Sequence, residues 1–247
     1  MIIRKIENEN PLLILIHGGN SSESEWDDVI NDLSKNYSLW IPTLSGHGQD
    51  EGPYTSIYDN ASSLLEEAKK HYVHAKVIAR GLGAQVAIRM MEYDKDFLTH
   101  VILESPLCIK TGLLKWMLLF NAKISYEPKE GQMEKKKFIS MLKDNSSFIL
   151  QQSIVEFNGE VLIMYASGED KLISKSASYL DEYLMHSKIL SLPYQHNMGL
   201  SHRDELLSYW LKFLRDEPLD EDDENKNEEE NVDINEENID EDKKGEE

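Results

Sequence analysis

Four side chains of nucleophile type, Ser45, Ser105, Ser167 and Cys108, stand near the ends of short apolar runs. A hydroxyl or thiol attacks a carbonyl only when a base beside it can take its proton, and none of the four sits in a strand–turn–helix setting that would arrange this. At Ala79-Arg80-Gly81-Leu82-Gly83-Ala84 the apolar run AKVIA passes directly into a helical pattern, and glycine stands at the centre. Other short motifs follow other apolar runs. His17-Gly18-Gly19 comes after PLLILI, and Pro42-Thr43-Leu44-Ser45-Gly46-His47-Gly48 after a second run. Gly168-Glu169-Asp170 comes after EVLIMYA, and Pro193-Tyr194-Gln195-His196 after the last run, with Phe213-Leu214 closing the chain's final helical pattern.

The elements that would position these residues alternate. Short apolar runs at 11–16, 38–41, 75–79, 99–104, 160–166 and 188–192 read as strands buried on both faces. Patterns of helical period at 22–36, 56–72, 81–93, 174–185 and 203–215 lie between and after them. The alternation predicts βαβ units, hence an α/β fold with a mostly parallel sheet and helices on both faces. Between Pro106 and Asn158 the pattern holds helices only, including 113–120 and 138–157, and reads as an inserted cap over residues 107–158. Its apolar stretch Leu113, Leu114, Trp116, Met117, Leu118, Leu119 and Phe120 either lines an acyl-binding pocket or packs the cap on the sheet.

Six motifs in this order resemble the capped α/β-hydrolases, a superfamily of esterases, lipases, peptidases and lyases, over residues 10 to 215. In that family a strand turns into a helix at a G-x-S-x-G elbow that exposes a nucleophilic serine. The resemblance puts Gly81 at the serine position, where no side chain can attack. The elbow backbone has φ above zero, which strains most residues by about 1–3 kcal/mol and glycine hardly at all. It further implies Asp170 as the triad acid, His196 as the base with His202 as competitor, and the backbone amides of Gly19 and Leu82 as an oxyanion hole. Each position has a plainer role open to it: a helix N-cap for Asp170, a loop side chain for His196, a tight turn at Gly18 and Gly19. His47 reads as a residue that orders its loop. No motif calls for a metal or a cofactor.

The formal net charge is −20 over 247 residues, but residues 217–247 hold 17 Asp and Glu against 3 Lys, so the tail carries −14 and the preceding 216 residues only −6. The chain therefore divides into an α/β-hydrolase domain, 1–216, and an acidic segment, 217–247, too poor in apolar residues to offset its ordering entropy and expected to be disordered. A basic partner is the natural complement of that segment. The domain has no basic cluster of the kind nucleic acid requires. The single cysteine forms no intrachain disulfide, and the first residues lack a signal-peptide core, so a cytoplasmic protein without a membrane span is expected. Three functional readings stay open. One is a non-catalytic hydrolase fold that binds a small apolar or acyl ligand. The second is an ester or acyl hydrolase with a displaced nucleophile or a His196-activated water. The third is chemistry needing only a His–Asp base, of lyase or oxygenase type.

Overall fold

The computed structural model describes residues 1–48, 50, 52–109, 112–129, 132–194 and 202–219. His196 and the acidic residues from 220 onward lie outside the described residues. Seven strands form one sheet: β1 (Ile2–Ile6), β2 (Leu12–Ile16), β3 (Ser38–Thr43), β4 (Ala75–Arg80), β5 (Leu98–Glu104), β6 (Glu160–Ala166) and β7 (Ser187–Leu192), in the order β1-β3-β2-β4-β5-β6-β7. All neighbours are parallel except β1 and β3, which pair antiparallel with Ile2 opposite Thr43. Six of the strands are the six apolar runs. β1 escapes the sequence pattern because an edge strand buries little, and IIRKI carries two adjacent charges.

Residues of β2 show why the sheet is central. All five side chains from Leu12 to Ile16 are fully buried, and alternate ones serve opposite faces. Leu12, Ile14 and Ile16 pack with helices α2 (Ile57–Lys69), α3 (Leu82–Tyr93) and α6 (Lys171–Asp181). Leu13 and Leu15 pack with α1 (Asp27–Leu33) and α7 (Arg203–Leu214), where Trp26 and Trp210 meet edge to face at 5.9 Å. Between β5 and β6 stand α4 (Leu113–Ser125), α5 (Lys135–Asn145) and a 3-10 turn at Gln152–Glu156. The periodic stretch 138–157 is thus broken in two: α5 begins earlier, and the chain turns at Ser146–Ser147.

Strand order reverses at β2: the chain goes from β2 to β3 on one side and to β4 on the other. Crevices at the carboxyl ends of strands beside such a switch point are where open α/β sheets bind ligands. Gly18 and Gly19 leave β2 there, and Gly81 leaves β4. The first residues of the acidic segment stay with the domain, since Leu219 packs beside the α1/α7 core.

Candidate functional site

Gly81 caps the N-terminus of α3 with φ 53° and ψ −109°, a left-handed backbone that a β-carbon disfavours. Its amide donates to the Glu104 carbonyl at 2.8 Å, tying the turn to the end of β5. Space is available on it: a Cβ on Gly81 would meet nothing nearer than the Gly18 Cα, at 4.0 Å. Gly83 differs. A Cβ there would lie 2.5 Å from the Ile16 carbonyl oxygen and 2.6 Å from that of His17. The second glycine of the turn therefore lets α3 rest on the end of β2, and the first supplies the turn's backbone angle.

The loop after β2 faces this turn. A Cβ on Gly19 would lie 3.5 Å from the Leu82 Cβ and 3.3 Å from the Met141 Cε of α5, so the two residues expected to supply the oxyanion-hole amides are neighbours beside α5. Leu82 is the first residue of α3, where a helix offers its N–H no internal acceptor. His17 is fully buried and fastens the loop. Its Nε2 accepts from the Leu44 amide at 3.1 Å, which leaves the proton on Nδ1, 2.7 Å from the Gly18 carbonyl. Burial holds His17 below the usual histidine range. His47 lies with its ring 5.1 Å from that of His17, and burial, aided by His17, pushes it down to about 4. Its Nδ1 bonds the Ser45 carbonyl at 3.0 Å, the loop-ordering role its motif suggested.

A charged network behind the turn escaped the sequence reading. Arg80 donates from Nε to Glu104 at 2.6 Å and from Nη1 to Glu25 at 2.8 Å. The other Glu25 oxygen accepts from the Gly18 amide at 2.8 Å, and the other Glu104 oxygen from the Trp210 indole at 2.9 Å. Burial raises the fully buried Glu104 above its ordinary value against the pull of Arg80. At Glu25 burial also opposes ionisation, but Arg80 and the Gly18 amide outweigh it and hold the group low. Burial alone would lower Arg80, and the two carboxylates reverse that. One guanidinium thus joins the Gly18 loop, the β4 end and α7. The legible signal was a charge ending each of two buried runs, Arg80 after AKVIA and Glu104 after THVIL, next to the acidic turn at Glu25.

At the neighbouring strand ends the acid position is less clear-cut. Asp170 is exposed and caps α6, its Oδ1 accepting from the Leu172 amide at 2.8 Å. Glu169 turns inward instead, where the Ser105 hydroxyl donates to its carboxylate at 2.8–2.9 Å and the Ala166 amide at 3.2 Å. Ser105 follows β5 with φ 50°, a strained angle for serine. Cys108 is buried and its thiol is pushed up to about 12, chiefly by burial, which makes it a poor nucleophile. The Ser45 hydroxyl is held by Thr55 and Asn60, and Ser167 is exposed. His202 stacks on Tyr194 at 3.6 Å. The structure therefore brings together Gly81, Leu82 and Gly19, sets Asp170 on the same sheet edge two strands away, and says nothing of His196. Among the described residues no three His, Cys, Asp or Glu side chains are grouped to hold a metal.

A family model described as the alpha/beta hydrolase family matches residues 13–150, more than half of the chain. The chain belongs to the alpha/beta hydrolase family. This α/β-hydrolase is 26% identical over 97 residues to the pimeloyl-[acyl-carrier protein] methyl ester esterase of Vibrio vulnificus strain YJ016, a match that covers 39% of this chain and only 37% of that protein. Among solved structures it resembles an esterase from Exiguobacterium antarcticum, with TM-score 0.74 and 14% identity over 86% of this chain and 94% of that one. It also resembles the enol-lactonase from Burkholderia xenovorans LB400, with TM-score 0.73 and 13% identity over 87% and 96% of the two chains. At such identities the structural likeness establishes the α/β-hydrolase fold and nothing of the substrate.

Proposed function

We propose that this α/β-hydrolase holds an acyl or other small apolar ligand at the β4–α3 turn and has no serine-ester chemistry there. One observation supports the reading: the β4–α3 turn, which we take as the elbow that the family uses to present its nucleophile, holds Gly81 with φ 53° and so carries no side chain. The amides of Gly19 and Leu82 remain to receive a carbonyl oxygen or carboxylate, because backbone donors survive a side-chain change. The short match to a methyl ester esterase of acyl chains supports an acyl group as the ligand class. In this reading Asp170 and His196 are the remnant of the acid and base.

The test is hydrolysis of p-nitrophenyl esters of short and medium acyl chains by the natural protein and by Gly81→Ser. An inert natural protein and an active Gly81→Ser variant are expected. Turnover by the natural protein that His196→Ala abolishes overturns the proposal.

A second reading rests on Ser105, whose strained φ and contact with Glu169 are features of a poised hydroxyl. In that reaction the Ser105 oxygen attacks an ester carbonyl while its proton passes to the Glu169 carboxylate. The alcohol then leaves with that proton, and water later releases the acyl group. Covalent labelling of the natural protein by a fluorophosphonate, lost in Ser105→Ala, supports this reading over the first. An unlabelled protein removes it.

A further inference from the structure

Helix α4 presents an apolar face that, among the described residues, no other element covers. Trp116, Phe120 and Ile124, spaced four residues apart, are 70%, 64% and 63% exposed, with Met117 beside them at 57%. The helix packs inward through Ala122 and against α5. Contiguous exposed aromatic and aliphatic side chains of this size mark an interaction surface more often than chance exposure does. The charge around the face is also distinct. Residues 113–143 hold seven lysines and three glutamates, a net +4 within a chain of net −20. Lys115 and Lys123 stand beside the stripe on α4 itself, Lys115 half-buried with its Nζ donating to the Ser147 hydroxyl and Lys123 exposed, and Lys136 on α5 is exposed as well.

We propose that α4 is a docking surface for an anionic lipid bilayer, on which it lies in the interface with Trp116, Met117, Phe120 and Ile124 entering the headgroup layer and the flanking lysines meeting lipid phosphates. A helix of 13 residues, about 20 Å long, is far too short to span a bilayer and suits this in-plane position. A bilayer surface offers both things the face asks for, an apolar layer and negative charge beside it. A second copy of the chain does not: face-to-face pairing would bring Lys115 and Lys123 of each copy against those of the other. The chain's own acidic segment offers charge but little to cover the stripe, since residues 220–247 include no aromatic residue and, as large aliphatics, only Val232, Ile234 and Ile239. It also starts at the far side of the sheet. Asp216 bonds His100 near the start of β5 at 2.9 Å, and Lys76 near the start of β4 bonds the Leu214 carbonyl, whereas α4 follows the end of β5. With α4 on a membrane the acidic segment leaves from the opposite edge, away from like charge.

The protein carries its own reporter. Of four tryptophans Trp26, Trp40 and Trp210 are buried, and Trp116 alone is exposed. The full chain is titrated with vesicles of phosphatidylcholine, with and without phosphatidylserine, and followed by co-sedimentation and by tryptophan emission, with brominated lipid as quencher. Expected are binding and a blue shift on anionic vesicles only, at least about tenfold weaker for Lys115→Glu/Lys123→Glu. Trp116→Phe should still sediment but show no shift, and Trp116→Ser/Phe120→Ser should not sediment while keeping the natural circular dichroism and melting temperature. Absence of binding to anionic vesicles at low salt overturns the proposal. So does binding that appears only at high salt, which would assign the face to the acidic segment. A concentration-dependent dimer abolished by Trp116→Ser/Phe120→Ser overturns it too, in favour of a second copy.

Discussion

A Cβ on Gly83 would lie 2.5 Å from the carbonyl oxygen of Ile16, so α3 begins backbone against backbone on the end of β2. Two residues earlier, Gly81 has free space but a left-handed φ of 53°. The two glycines of one turn are thus required for different physical reasons, and substitution separates them. Gly81→Ser should cost about 1–3 kcal/mol, the strain of its backbone angle alone. Gly83→Ala must push a helix off a strand and should cost at least about 3 kcal/mol. Urea denaturation of the two variants checks the order, and equal costs would contradict it.

Arg80 pairs with two carboxylates away from bulk water. Arg80→Met leaves Glu25 and Glu104 facing one another without a cation, at a cost of about 3–5 kcal/mol near pH 7. Protonating a carboxylate removes that repulsion, so the deficit relative to the natural protein should shrink as pH falls toward the carboxylate range. Denaturation of both proteins at neutral and mildly acidic pH measures it. A deficit that does not change with pH would mean that packing of the arginine stem, not charge, sets the cost.

The two buried histidines make stability depend on pH. His47 is held down to about 4, by burial first and then by His17, against 6.5 for a free histidine. A base with a depressed folded-state value contributes stability that is complete above 6.5 and is lost as pH falls through about 4. Glu92 works in the other direction. Burial raises it to about 7, against the Gln151 amide and Arg89, so its contribution is complete below 4.5 and disappears as pH rises through 7. Natural protein should therefore lose on the order of 2 kcal/mol more than His47→Gln between about pH 7 and pH 4. Thermal melts across that range decide it; parallel curves would remove His47 as the source.

Asp170 serves α6 as an N-cap whatever else it does. Asp170→Ala should destabilise by about 1 kcal/mol, and Asp170→Asn, which keeps an oxygen for the Leu172 amide, by much less. In a Gly81→Ser background the two roles diverge. If Asp170 orients the base, Asp170→Asn should cut ester hydrolysis by about 100-fold or more while stability stays near the parent's. Unchanged turnover in that double variant would leave Asp170 a cap only and direct attention to Glu169.

Several features of this protein follow from local sequence. Burial on both faces demands unbroken apolar runs, so LLILI, KVIA, HVIL and VLIM declare the central parallel strands. A glycine between AKVIA and a helical pattern likewise announces a turn with an unusual backbone angle. The tertiary structure decided what depends on contacts between distant segments. β1 becomes a strand only because Ile2–Ile6 finds the free edge of β3. Arg80 meets Glu25, 55 residues earlier, and Glu104, 24 later; a charge ending a buried run is visible in the sequence, but which partners it meets is not. The same holds for the choice between Asp170 and Glu169. Adjacent acidic residues are equivalent in a linear reading, and the turn that starts α6 points one at its own helix and the other at Ser105. Local pattern sets which backbone states are cheap. Which side chains then share a buried volume is fixed by the packing of elements far apart in the chain.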